Sequence, residues 1–416
     1  MTTVKPTPRY VENLYFALTL LSTLAASFIW GINTLFLLQA GLSNTEAFLA
    51  NTFFTLGQVA FEVPTGIVAD LKGRRISYLL GTITLALSTL IYLGAWHVQA
   101  PLVIWAVSSI LLGLGFTFFS GATEAWLVDS LEFSGYKGSL DHVFARGQMI
   151  GGIAMLAGSV SGGLIAQATN LSVPYIVRAG LLLVTFFVAL VFMKDWGFEP
   201  SERVSLRKMA RDLFVNSFRF SWQHPSVRWV MIAAPFVSGV SFYAFYAMQP
   251  FLLRLYGDET AYAVAGLAAA IVAGAQIAGS MLVPTVRKYF PKRTTLLLAS
   301  IAMSVGVLAL VSMTTNFWIA ILLLCAWGLV GAVSTPVRQA YVNALIPSKQ
   351  RATILSFDSL VSSSGGAIIQ PVLGRAADVW SYGTSFALGA MVEMLALPFI
   401  YLARQQKSKA DEVHSS

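Results

Sequence analysis

The stretch Gly66-Ile67-Val68-Ala69-Asp70-Leu71-Lys72-Gly73-Arg74-Arg75 places one acid, three bases and two glycines between two apolar runs, 46–70 and 76–96. Each run is long enough to cross a hydrocarbon core of roughly 30 Å. The stretch therefore reads as a short charged turn joining two membrane-spanning helices. Outward from it, apolar runs bounded by Gly, Pro or charge recur along almost the whole chain. They predict twelve spans: 14–39, 46–70, 76–96, 101–129, 142–168, 173–194, 227–255, 260–285, 294–314, 316–344, 351–379 and 383–404. The expected fold is an all-α membrane protein.

Composition agrees with that pattern and excludes others. The 416 residues are 56% hydrophobic and 11% charged, with mean hydropathy +0.70. An ordinary soluble domain carries about 25% charged residues, so folding in water is excluded. Met1 to Tyr10 is polar and the first apolar run is a full span with no small-residue cleavage site after it, so no signal peptide is expected. Cys325 is the only cysteine and lies inside an apolar run, which rules out an intramolecular disulfide and a cysteine metal cluster. The histidines (His97, His142, His224 and His414) are scattered over loops and tails, and neither a nucleophile elbow nor a nucleotide loop is present. No catalytic residue, metal or cofactor is implied, and an enzyme is not expected.

The net charge of +8 has an orientation in it. With the N-terminus in the cytoplasm, Lys72, Arg74, Arg75, the bases from Lys194 to Arg228, those from Arg287 to Arg293, Lys349, Arg351 and the tail all fall inside. Only Arg178, Arg254 and Arg375 fall at outer helix ends. This positive-inside distribution accounts for the basic balance without a nucleic-acid partner. Both termini are expected in the cytoplasm, and the short loops fit a multi-pass protein of a bacterial inner (plasma) membrane. Between Asp195 and Pro225, Leu206, Met209, Leu213 and Phe220 recur at helical spacing opposite Arg203, Arg207, Lys208 and Arg211. That reads as a basic amphipathic helix on the cytoplasmic leaflet, a plain linker in preference to a partner-binding segment. The expected organisation is a first six-helix bundle over 1–194, the linker over 195–226, a second bundle over 227–404 and a tail over 405–416.

The two bundles repeat one another. Phe36-Leu-Leu-Gln in the first span corresponds to Phe251-Leu-Leu-Arg in the seventh. Glu124-Ala-Trp-Leu-Val-Asp129-Ser-Leu in the fourth corresponds to Arg338-Gln-Ala-Tyr-Val-Asn343-Ala-Leu in the tenth. The 66–75 spacing returns as Pro284-xxx-Lys288-xx-Pro291-Lys292-Arg293. Two such repeats with substrate at their interface are a transporter architecture.

The 66–75 motif resembles the signature loop of the major facilitator superfamily, and with the twelve spans, the central linker and the repeat the resemblance covers essentially the whole chain. It implies two pseudo-symmetric six-helix bundles and alternating access. Physically, Gly66 and Asp70 share a helix face, so a neighbouring helix could approach at Gly66 while its N-terminus meets the Asp70 carboxylate. The eleventh span begins on that side. The resemblance implies that Asp70 and an arginine of the loop, with an acid from the fourth span, latch the cytoplasmic side. Asp129 is the expected partner of Arg74, so Gly66, Asp70, Gly73, Arg74, Arg75 and Asp129 read as a conformational latch.

Further charges lie inside spans. Glu124 precedes Asp129 by five residues, roughly 140° around the helix and about 7.5 Å deeper. With Arg146, Arg338 and Asp358 it forms a set whose signs invert between the repeats; inner-gate salt bridges between the halves are the preferred reading, direct substrate contact the alternative. Glu62, about 12 Å above Asp70, and Glu393, in the middle of the twelfth span, are candidates for proton coupling. A carboxylate in an apolar setting can exchange a proton near neutral pH. Glu62 ranks first, although a glutamate before Pro64 can instead satisfy freed backbone groups. Trp30, Asn33, Phe36, Gln58, Tyr243, Tyr246, Gln249 and Gln276 form a mostly apolar set near mid-depth suited to a lipophilic ligand. Gly147, Gly151, Ala154, Gly158 and Gly162 make one stripe on the fifth span. Within it, Gly158-Ser-Val-Ser-Gly162-Gly163 resembles the superfamily's exporter motif with Ser159 in place of proline.

The leading expectation is proton-coupled export of a drug-like or lipophilic small molecule, with a likeness to bacterial drug exporters, by a monomer in the lipid bilayer with protons as the coupling ion. Proton-coupled uptake of a small organic metabolite is the alternative. A non-transporting sensor on the same fold is the reading from another class; it would bind ligand and move none of it in proteoliposomes.

Overall fold

The structure, a computed structural model, describes residues 5–200, 211, 215–347 and 350–412. Among these there are helices and turns, with no strand. Leu206, Met209, Leu213, Arg203, Arg207, Lys208 and Lys349 lie outside the described residues. The chain forms two compact units: Met1–Gly41, Phe53–Leu206 and Tyr262–Ala270 in the first, and Leu42–Thr52, Arg207–Ala261 and Ile271–Ser416 in the second.

The first half of the chain carries α1 (Pro8–Ser27), α2 (Asn33–Gln39), α3 (Asn44–Lys72), α4 (Arg74–His97), α5 (Leu102–Thr117), α6 (Ala122–Ser134), α7 (Leu140–Ala168) and α8 (Ser172–Phe192). After the linker piece α9 (Ser217–Gln223) come α10 (Pro225–Tyr256), α11 (Tyr262–Arg287), α12 (Arg293–Met313), α13 (Phe317–Leu345), α14 (Arg351–Val379), α15 (Tyr382–Met394) and α16 (Ala396–Gln405). Among the described residues, three of the twelve expected spans are pairs: α1 with α2, α5 with α6, and α15 with α16. Gly121, at φ +68°, occupies the left-handed region that starts α6. Pro398 lacks the N–H that would continue a helix from α15, which ends four residues earlier at Met394. The first helix begins earlier than its apolar run because Thr7 caps it and Pro8 occupies its first position.

Nine helical segments among the described residues are apolar and long enough to cross a membrane on their own. The spans outside that set are the broken α1–α2 and the polar helices α3 and α14, which carry Asn51, Glu62, Asp358 and Gln370. In the first unit α1 packs on α7 and α8, and α4 packs on α5 and α8. In the second, α10 packs on α14, α15 and α16, and α12 packs on α13 and α15. Both units thus pair their first helix with their fifth and sixth, and their third with their fourth and sixth. The first–fifth contact is backbone against backbone in each: a Cβ at Gly162 would overlap the Phe28 carbonyl, and one at Gly365 the Pro235 carbonyl. Small residues at such crossings let helices gain dispersion contacts that lipid cannot replace.

The first unit's core gathers Val11, Leu18, Tyr78, Trp126 and Leu127 around α1, α4 and α6. The second unit's gathers Val230, Leu296, Val337, Tyr341 and Ile400 around α10, α12, α13 and α16. Phe220 of α9 packs against this second core, the described remnant of the expected amphipathic face.

Candidate functional site

The loop between α3 and α4 assembles a charge cluster. Asp70 pairs with Arg74 one turn later, and Arg74 Nε lies 3.8 Å from Asp129 Oδ2 on α6. Arg74 also covers the ring of Phe198. Among the described residues, nothing lies within 4 Å of a Cβ built on Gly66. The glycine that matters here is Gly73, at φ +104°, where an added Cβ would run into the Asp195 carboxylate.

Asp195, the first residue of the expected linker, closes the cluster. It accepts the N–H of Arg75 at 2.8 Å at the start of α4, and Arg75 donates from its guanidinium to Leu190 O at 2.6 Å. A carboxylate on orphan N–H groups at a helix N-terminus is favourable. Burial nonetheless pushes the Asp195 carboxyl up from the usual aspartate range, against the pull of the Arg75 and Arg74 N–H donors. The second unit repeats the device: Asp411 accepts the Thr294 N–H and hydroxyl, both at 2.7 Å, at the start of α12. A third cap lies at the other end of α3. Asp378, in the last turn of α14, accepts the N–H groups of Asn44 and Thr45, each at 2.9 Å, with the Asn44 amide and Thr45 hydroxyl added. These caps join residues far apart in sequence and carry no local signature.

The charges within the spans are arranged differently from the expectation. Arg338 and Asp358 form a two-pronged pair at 2.9 and 2.6 Å inside the second unit, α13 to α14, where pairing between halves was expected. The pair satisfies both charges within one unit. Glu124 lines a cavity of the first unit and Arg146 is exposed; among the described residues neither enters an ion pair. Arg178, expected at an outer helix end, is 1% exposed. Its Nε donates to Thr89 Oγ1 at 3.0 Å and its Nη1 reaches the Ala25 and Ala26 carbonyls, where α1 breaks off. A cation suits a helix C-terminus. An ionisable residue within an apolar run was the available signal.

The two coupling candidates also differ. Glu62 is exposed and accepts from Ser120 Oγ at 2.7 Å, while Thr65 donates to the Phe61 carbonyl, 2.8 Å away, beside Pro64. Glu393 is 3% exposed and accepts from Ser304 Oγ at 2.9 Å. It lines a cavity of about 630 Å³ in the second unit, between α10, α11, α12, α13 and α15.

Four of the expected ligand residues fall in each unit. Trp30 lines the first unit's cavity of about 450 Å³, together with Glu124 and Arg178. Gln276 lines the second unit's. Phe36 and Tyr243 belong to packed cores, a correction to their reading as pocket walls: Phe36 stacks on Tyr175 with centroids 3.9 Å apart, and Tyr243 bonds Ser385 and packs on Phe48. Asn33 accepts from Tyr175 at 2.9 Å, Gln249 is buried, and Gln58 and Tyr246 are half-buried. Aromatic residues at helical spacing fill helix interfaces because their area stabilises packing wherever they fall. In the glycine stripe, Gly158 meets Ser27 and Gly162 meets Phe28, so α7 lies against the end of α1.

Comparison with known proteins agrees with this architecture. No curated protein matches the sequence. Among solved structures, a mutant of the nucleoside transporter NupG superposes with TM-score 0.80 at 12% identity, covering 94% of this chain and 100% of that one. A POT family transporter in complex with a thioalcohol-conjugated peptide superposes with TM-score 0.73 at 13% identity, covering 96% of each chain. At these identities the likeness shows the fold alone. The family model described as Major Facilitator Superfamily matches residues 15–292 and 260–415. With twelve spans in two similarly packed sets and a charged turn after the second, this chain belongs to the major facilitator superfamily, a membrane transporter and not an enzyme.

Proposed function

We propose that the protein exports a drug-like or lipophilic small molecule in exchange for protons, by alternating access, as a monomer in the inner (plasma) membrane with both termini in the cytoplasm. The observation that supports this most directly is Glu393: a carboxylate 3% exposed, bordering a cavity, with Ser304 as its hydrogen-bond donor. An isolated carboxylate within the membrane is costly unless a proton or a bound cation neutralises it. Glu62 is exposed and meets a hydroxyl, so the coupling role goes to Glu393 ahead of Glu62. Asp70, Arg74 and Asp129 act as the latch, and Arg338 with Asp358 as a gate charge pair within one half. Export is supported by the fifth-span glycine motif.

Ser159, where that motif has proline, supports a second reading: proton-coupled uptake of a small organic metabolite. The test is efflux of dyes and antibiotics from cells expressing the protein, with and without an uncoupler. Uncoupler-sensitive export of any compound supports the exporter. Failure across a broad panel, with energised uptake of a metabolite, would replace it with the symporter.

A further inference from the structure

The cavity around Glu393 is lined mostly by apolar side chains and hydroxyls, with the Gln276 amide and the Trp327 indole N–H as further polar groups. Glu393 is the only formal charge among its described lining residues. Four of the lining hydroxyls spend their protons on their own helices: Ser241 on Val237 O at 2.8 Å, Ser280 on Gln276 O at 3.1 Å, and Ser334 and Thr335 on Gly331 O at 3.1 and 2.9 Å. Ser304 gives its proton to Glu393 itself. What these oxygens offer the cavity is therefore lone pairs. A carboxylate among acceptor oxygens is complemented by a cation that carries N–H donors, because charge-assisted hydrogen bonds are the strong ones. Trp327, 6% exposed, and Val283 supply apolar wall, and about 630 Å³ falls in the range of small-molecule sites.

We propose that this cavity binds a protonated primary or secondary amine with an apolar body, its ammonium on Glu393. This rests on the reading of Glu393 as the exchanged carboxylate and adds the class of cargo: a lipophilic amine that competes with the proton for one group. An inorganic cation would leave the apolar wall unused, and a quaternary ammonium would leave the acceptors unpaired.

The test is binding of tritiated propranolol, a lipophilic secondary amine, to the purified full chain in detergent. Saturable binding is expected, weakened at least about tenfold in Glu393→Gln and retained in Glu393→Asp. On the unmodified protein, a quaternised derivative lacking the N–H should compete at least about tenfold more weakly than propranolol, a comparison that does not depend on any variant folding. Equal affinity of Glu393→Gln and the unmodified protein, or equal competition by amine and quaternary analogue, would overturn the proposal. Were Glu393→Gln to lose uncoupler-sensitive efflux while binding propranolol normally, the coupling reading would stand and the amine reading would fall.

Discussion

Arg338 and Asp358 show how a charge pair behaves when both members sit within a bundle. Asp358 is 6% exposed and the Arg338 side chain 24%. Removing one partner leaves the other charge without compensation, so Asp358→Asn should destabilise by about 2–4 kcal/mol, the value for a buried pair discounted for the partial exposure of the arginine. The measurement is thermal unfolding in detergent. A double variant, Arg338→Gln with Asp358→Asn, should recover part of the loss; additive losses would mean the two do not interact. At this scale the sequence was legible in part. The cluster of Asp70, Arg74 and Asp129 could be anticipated because its spacing is local or shared with a family motif. The burial of Arg178 and the cavity beside Glu393 could not, because hydropathy marks a span without marking which face of it meets other helices.

Among the elements, the close crossing of α10 and α14 makes a sharp prediction. A methyl group at Gly365 would collide with the Pro235 carbonyl, whereas one at Gly274 meets nothing within 4 Å among the described residues. Gly365→Ala should therefore lower the melting temperature in detergent by several degrees, as a steric clash of about 1–3 kcal/mol does, and Gly274→Ala should leave it unchanged or slightly raised. Equal effects would contradict the packing described for the second unit. The caps make another. The folded Asp195 carboxyl lies above its unfolded value, so its contribution to stability is fully present below about pH 4 and lost as pH rises through the folded value. Asp195→Asn keeps an acceptor for the Arg75 N–H and removes the titration; the variant should lose less stability than the unmodified protein as pH rises from about 4. The spans themselves were legible because long apolar runs in lipid must satisfy their backbone as helix. The breaks within the first, fourth and twelfth were not, since a glycine or proline inside a span is often tolerated without interruption.

At the scale of the whole molecule, the two ends of α3 carry opposing devices. Near its end, Asp70 meets Arg74; at its start, Asn44 and Thr45 donate to Asp378, within a segment that belongs to the second unit. Under the proposed alternating access, each would yield in turn. Asp70→Asn should shift the population toward inward-facing, and Asp378→Ala toward outward-facing. Labelling rates of engineered cysteines near the starts of α14 and α3, in a Cys325→Ser background, would report both shifts, and unchanged rates would count against them. Twelve spans and a repeated half were legible here because a covalent repeat writes itself into residue spacing. The exchange of Leu42–Thr52 and Tyr262–Ala270 between the units was not, because hydropathy assigns a helix to a half and is blind to what its first turns touch. The most direct test of the account is substrate-induced dissipation of a pre-set proton gradient in proteoliposomes. The unmodified protein and Glu62→Gln should dissipate it when a transported dye or amine is added, and Glu393→Gln should not, while still exchanging labelled substrate. Dissipation by Glu393→Gln at the unmodified rate would contradict the assignment of proton coupling to the second unit's cavity.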